Sequence, residues 1–338
     1  MDHNDLLLVT GATGLVGSHV AERACRRNIP VRVLVREGSD TKLLDDWGVE
    51  TIRGDMTDGE SLTKAVDGAT HVVHCAAKVG DWGPVDDYRA VNVRGVENLL
   101  TAADAAGALK RYVHISSLGV YEARDHYGTD ETEPPGRKGI DGYTLTKVES
   151  ERVVQKHVDG GNLAAVILRP GFIYGPRDRT VLPRILEKLK EGKVKFLGSG
   201  EQLMNNTFVG NLVDAIFLAL ETDDVAGETY NITDGKLVSK LEFLNTIADL
   251  AGHPRPTKHV PLGVAKLVAG VLEGLWTLLG KTEAPTPSKA TIKFLGLNLD
   301  YGIQKAKNEL GYEPRVAFQD GMAETVAWFQ PKSSARGA

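Results

Sequence analysis

The chain has 338 residues, 42% hydrophobic and 25% charged, enough to bury a full core in one large domain with a smaller lobe. A net charge of −5 leaves no basic footprint for nucleic acid. Two cysteines, Cys25 and Cys75, make neither a disulfide framework nor a metal-binding spacing, and only four apolar residues run together before Thr10, too few for a secretory h-region; the expected location is the cytoplasm.

In chain order, Leu6–Thr10 reads as a buried strand running into TGATGLVG at Thr10–Gly17. Gly11 can take backbone angles closed to residues with a Cβ, and Gly14 lets backbone amides approach a pyrophosphate. Gly17 allows the helix over roughly Leu15–Arg27 to pack close on its strand, with its amino end facing the phosphates. A second apolar strand at Val31–Val35 supplies the context such a motif needs, so a nicotinamide dinucleotide is the expected cofactor. Further strand-like runs at Val49–Arg53, His71–Cys75, Tyr112–Ser116 and Ala164–Leu168 alternate with helical stretches at Tyr88–Ala106, Thr144–His157 and Gly210–Leu220. Another helix follows Ser239, which stands three residues before Glu242 in a capping-box pattern.

This alternation predicts an α/β chain with a doubly wound parallel sheet, helices on both faces and a smaller, discontinuous carboxyl-terminal substrate lobe. Glu228–Ile232 reads as a late strand that rejoins the sheet. The dinucleotide domain is therefore placed at 1–175 plus about 208–232, and the second lobe at 176–207 and 233–338.

Tyr143 and Lys147 stand one helical turn apart and share a helix face. A free tyrosine, with a pKa near 10, is a poor base at neutral pH, and a neighbouring ammonium stabilises its phenolate. The window Pro261–Gly280 is the most apolar of the second lobe, with Val264, Leu267, Val268, Val271, Leu272, Leu275, Leu278 and Leu279 at helical spacing. Lys266 and Glu273 argue against a membrane span. Three readings stay open: a core-packed helix, a lid over an apolar substrate site, or an interfacial helix on a membrane surface. Glu283–Pro287 then reads as a loop or hinge.

The motifs TGxxGxxG, HCAAKVG, ISSLGVY, YTLTK and RPGFIYGPRD together resemble the extended short-chain dehydrogenase/reductases, over nearly the whole chain. LRPGFIYGPRDRTVLPRIL with NNTFVGNLVDAIFLAL is most similar to the 3β-hydroxysteroid and sterol-4-carboxylate dehydrogenase branch. The resemblance implies a Rossmann fold and a hydride-transfer site with Tyr143 as acid/base, Lys147 as electrostatic and ribose anchor, and Ser117 holding the substrate oxygen; Ser116 then turns toward backbone or cofactor. It places Gly11, Thr13, Gly14, Leu15, Val16 and Gly17 in the cofactor-binding turn, Asp55 and Met56 at the adenine, Ala76, Ala77 and Lys78 under the ribose and nicotinamide, and Pro170 near the nicotinamide. Asp55 could equally cap the next helix, and Asn92 could be only a bridge. Trp82 and Tyr174 are candidate pocket walls, and Trp82 could instead pack on a neighbouring helix.

NAD-preferring members usually place aspartate where this chain has Val35; Arg36 follows, with Ser39 and Lys42 near, which favours NADP with NAD as the alternative. The implied substrate is a hydrophobic secondary alcohol or ketone, steroid-like or a long-chain β-keto acid. Sugar-nucleotide epimerases, the alternative, usually carry an arginine where this chain has Asn206-Thr207-Phe208, although Arg177 and Arg179 could hold an anion. A dinucleotide sensor would need the glycine motif but no acid/base pair. Relatives often dimerise through two helices, here Tyr88–Ala106 and Thr144–His157, whose apolar faces could equally be covered from within.

Overall fold

The structure, a computed structural model, describes residues 1, 4–161, 163–281 and 283–330. Seven parallel strands form the central sheet: β1 (Leu7–Thr10), β2 (Val31–Val35), β3 (Glu50–Arg53), β4 (His71–His74), β5 (Arg111–Ile115), β6 (Ala165–Pro170) and β7 (Thr229–Ile232), in the order β7-β6-β5-β4-β1-β2-β3. The order reverses direction beside β1, where β1 lies between β2 and β4, and the glycine turn follows β1 at that switch point. Every apolar run predicted as a strand of this sheet is one, with ends shifted by at most two residues. The buried strands β1, β2 and β6 carry mostly Val, Ile and Leu, whereas β4 and β5 bury His71, His74, Tyr112 and His114 beside their valines.

Helix α1 (Leu15–Arg26) returns from β1. The long helix after β4 is interrupted: Val85–Arg89 passes through a π-helical turn at Ala90–Arg94 before α2 (Gly95–Ala106). Helix α3 (Gly142–Asp159) starts one turn after a loop and carries Tyr143 and Lys147. The apolar residues of α2 and α3, among them Val96, Leu99, Leu100 and Val154, are buried against the sheet, so these two faces are covered from within. Ser239 caps the helix Lys240–Leu250 by accepting from the Glu242 amide, 3.0 Å.

A second apolar core gathers Tyr174, Leu182, Phe196 and Phe208 with Val238, Phe243, Phe318 and Met322. Short parallel pairs, Phe172–Tyr174 with Asn206–Phe208 and Phe196–Leu197 with His259–Val260, tie these segments together. Ile303, Ala306, Leu310 and Tyr312 return to the core of the main sheet. The tail 331–338, assigned above to the second lobe, lies outside the described residues. The apolar window forms α4 (Leu262–Leu278), which packs on α5 (Lys289–Gly296). The core-packed reading of this helix is corrected: only Ala265 and Ala269 are buried, while Val264, Leu267, Val271 and Leu275 face outward. No helix among the described residues is long and apolar enough to cross a membrane.

Candidate active site

The glycine turn is built by close approach. Gly11 has φ +69°, and a Cβ there would stand 2.7 Å from the Ala76 nitrogen and 2.9 Å from the Cys75 carbonyl carbon. A Cβ on Gly17 would stand 2.4 Å from the Gly11 oxygen, so Gly17 seats α1 on the turn itself. Thr10 Oγ1 accepts from the Ala76 amide at 3.2 Å, stitching the ends of β1 and β4 together. Gly14 is the N-cap of α1 and no side chain caps it, so the first-turn amides at Leu15, Val16 and Gly17 have no side-chain acceptor. Such a helix end, framed by glycines with no room for side chains, fits a pyrophosphate. Gly11→Ala is expected to cost at least about 1–2 kcal/mol of stability from the left-handed backbone alone and to abolish dinucleotide binding, read by thermal unfolding and by NADPH fluorescence titration.

At the end of β2, Val35 is buried, while Arg36 and Lys42 are exposed and enter no ion pair among the described residues. Arg53 shapes this loop, donating to the Arg36 and Ser39 carbonyls, each at 3.3 Å, and to Thr41 Oγ1 at 3.1 Å. Asp55 does not cap the next helix; Asp58 does, through the Glu60 amide. Asp55 Oδ1 instead accepts from the Thr57 amide and hydroxyl, at 2.9 and 2.7 Å. Met56 is buried in the core under α2. Of the two arginines that could hold an anion, Arg177 pairs with Glu22 at 2.5 Å and lies over the Trp47 ring, while Arg179 is exposed, stands 3.6 Å from Asp40 and lines a cavity with Thr13 beside the glycine turn.

Asp141 starts α3 with a capping box, accepting from the Thr144 amide at 2.7 Å. This places Tyr143, Lys147 and Glu151 on one helix face. Lys147 is buried, its Nζ donates to the Ile115 carbonyl at 2.6 Å and lies 5.9 Å from the Tyr143 ring centre. Ser117 stands near enough to the Tyr143 phenol to favour its charged form, and its Oγ accepts from the Gly119 amide at 3.0 Å. The three predicted catalytic residues therefore meet at the carboxyl ends of β4 and β5.

Burial dominates their charges. Desolvation pushes the Tyr143 phenol up to about 12, against the bond from Ser117, and Asp141 adds to the rise. Desolvation also lowers Lys147 to about 8, opposed by Cys75 and Glu151. Burial of the phenol disfavours its charged form, and the ammonium of Lys147 is not among the causes that act on it. The phenol is consequently a proton donor at neutral pH. Burial pushes the Cys75 thiol up to about 12, which leaves it inert.

Ser116 is corrected as well. It is buried and donates to Glu151, whose carboxylate takes a two-pronged contact from Arg169, Nε at 2.9 Å and Nη2 at 2.7 Å. Arg169 Nη1 reaches the Tyr121 hydroxyl at 2.9 Å. The sequence reading missed Glu151 and Arg169. Their signals were a carboxylate one further turn beyond Lys147 and a single charge inside the apolar strand Ala165–Pro170. Asn92 is a bridge: its amide accepts from the Lys78 nitrogen at 2.7 Å and donates to the Lys78 carbonyl and Thr146 Oγ1.

Ala76 and Ala77 are half-buried beside the glycine turn, and exposed Lys78 pairs with Asp87 at 3.1 Å. Trp82 Nε1 donates to the Lys281 carbonyl at 2.8 Å, joining the loop after β4 to the chain after α4. Pro170 is buried at the end of β6. Tyr174 is corrected: it is fully buried in the second core with its hydroxyl on Asp234 at 2.9 Å, so it walls no open pocket.

The model of the NAD dependent epimerase/dehydratase family matches residues 7–233. A 2-alkyl-3-oxoalkanoate reductase of Stenotrophomonas maltophilia is 32% identical over 95% of this chain and 98% of its own. A 3 beta-hydroxysteroid dehydrogenase/Delta 5-->4-isomerase of Mycobacterium tuberculosis is 33% identical over 98% of this chain and 93% of its own. Among solved structures, the Thermus thermophilus UDP-glucose 4-epimerase in complex with NAD superposes with a TM-score of 0.74 at 25% identity, covering 96% of this chain and 98% of its own.

Proposed function

Since the chain belongs to the NAD dependent epimerase/dehydratase family, we propose that it interconverts the ketone and secondary alcohol of a hydrophobic substrate, steroid-like or a long-chain β-keto acid, with Tyr143, Lys147 and Ser117 as the reacting site. It is an oxidoreductase of the extended short-chain dehydrogenase/reductase type, and its relatives are ketoreductases and steroid dehydrogenases. The observation that carries the reading is buried Lys147, held on the carbonyl of Ile115, which ends β5 two residues before Ser117, with its Nζ 5.9 Å from the Tyr143 ring centre. Ser117 and Tyr143 hold the substrate oxygen between two hydroxyls. The phenol gives its proton to that oxygen during reduction and recovers it during oxidation. Lys147, fixed by the Ile115 carbonyl, stabilises the phenolate left behind. The dinucleotide, when bound on the glycine turn, supplies or accepts the hydride.

NADP is the preferred form in this reading, with Arg36 and Lys42 meeting the 2′-phosphate. Arg36→Ala is expected to weaken NADPH roughly ten- to hundredfold, the loss of a charge-assisted hydrogen bond, and to leave NADH unchanged; equal effects on both cofactors would assign Arg36 to the adenine. The likeness to a UDP-glucose 4-epimerase favours a second reading, an epimerase with tightly held NAD. Asn206, where such enzymes usually carry an arginine, and the pairing of Arg177 with Glu22 speak against it. Turnover of a sterol or keto acid in a nicotinamide absorbance assay, against binding of a UDP-sugar by protein carrying its own dinucleotide, separates the two.

A further inference from the structure

Helix α4 turns its apolar side away from the protein. Val264, Leu267, Val271, Leu275 and Leu278 are all exposed, Leu267 at 71% and Leu278 at 83%. At 100° per residue they fall within an arc of roughly 80°. The single acid of the helix, Glu273, faces inward and holds the Lys289 amide and ammonium. A continuous apolar face of this kind on a protein surface marks an interaction site.

The charge around it identifies the partner. Lys258 stands before the first turn and Lys281 after the last; both are exposed and enter no ion pair among the described residues. Residues 181–200 and 255–290 carry ten Lys and Arg against four Asp and Glu, in a chain whose net charge is −5. The pairing of Phe196–Leu197 with His259–Val260 brings these two segments together. A second copy of the chain would set these cations against one another, which disfavours the contact. Apolar side chains framed by unpaired lysines instead match the acyl boundary and the phosphates of an anionic bilayer.

We propose that α4 docks the protein on an anionic membrane surface. The helix ends beside the active site, because Trp82 bonds the Lys281 carbonyl and the Ser288 hydroxyl donates to Asp81 at 3.0 Å. Docking therefore brings the loop after β4 to the bilayer, and, on the reductase reading, a membrane-dissolved ketone enters there.

The test is co-sedimentation of the whole protein with vesicles of equal parts phosphatidylcholine and phosphatidylglycerol, and with phosphatidylcholine alone. Wild type sediments with the anionic vesicles and is released by salt. Lys258→Gln with Lys281→Gln weakens binding roughly 25-fold. Leu267→Ser with Leu278→Ser abolishes it at unchanged thermal stability, since both side chains are already in water. Quenching of tryptophan emission by brominated acyl chains, through Trp276 of the helix, gives a second readout. Wild type that stays in the supernatant, binds neutral vesicles equally, or loses dimers rather than vesicle binding on the serine changes overturns the proposal. Vesicle binding is read without turnover, so its failure leaves the reductase reading standing, and an inactive protein that still sediments isolates a failure of that reading.

Discussion

Tyr143→Phe is expected to lower kcat roughly 10²–10⁴-fold, the usual contribution of a positioned acid/base group, while leaving cofactor affinity and thermal stability nearly unchanged. The ring stays, so the packing stays; only the phenolic hydroxyl is lost. Retention of more than about a tenth of the wild-type rate would remove Tyr143 from the proton path. The pH profile carries the same argument. Lys147 is charged below about 8 and neutral above it, and the Tyr143 phenol stays protonated to about 12. For ketone reduction, kcat/KM, which reports the free enzyme, is therefore level from pH 6 to 8 and falls about tenfold per unit beyond. A profile rising through that range would mean that the phenolate starts the reaction.

The second large effect concerns stability. Arg169→Met leaves the Glu151 carboxylate buried without its guanidinium, and breaking such a pair from one side costs about 3–5 kcal/mol. Both side chains are only 7% exposed, so solvent does little to rescue the orphan. Replacing both partners, Glu151→Leu with Arg169→Met, is expected to restore most of the loss, because two apolar groups of similar volume leave no charge unpaired. Denaturant midpoints of the two variants check this. If the double variant proves no more stable than Arg169→Met, the Tyr121 and Ser116 bonds carry the network instead.

The parallel sheet was legible because each buried strand carries a short apolar run, LLV in the first and AVIL in the sixth, and glycines mark the turn after the first. Gly11, Gly17 and the Tyr143–Lys147 spacing were legible because each depends on local geometry. Glu151, Arg169 and Asn92 act through partners 14 to 54 residues away, and pattern alone does not say which distant side chain a buried polar group meets. Tyr174 was misplaced for the same reason: its hydroxyl is taken by Asp234, 60 residues on. The apolar window of α4 was visible in the sequence, yet whether it faced the core depended on the small residues Ala265 and Ala269, which alone meet α5 and the strand beneath closely enough to be buried.

The reductase assignment is tested most directly by nicotinamide absorbance with NADPH and a panel of steroid ketones and long-chain β-keto acids. The proposed site predicts turnover of at least one class, lost in Tyr143→Phe. No turnover across the panel, with dinucleotide retained through purification and a UDP-sugar bound, would contradict it and establish the epimerase reading in its place.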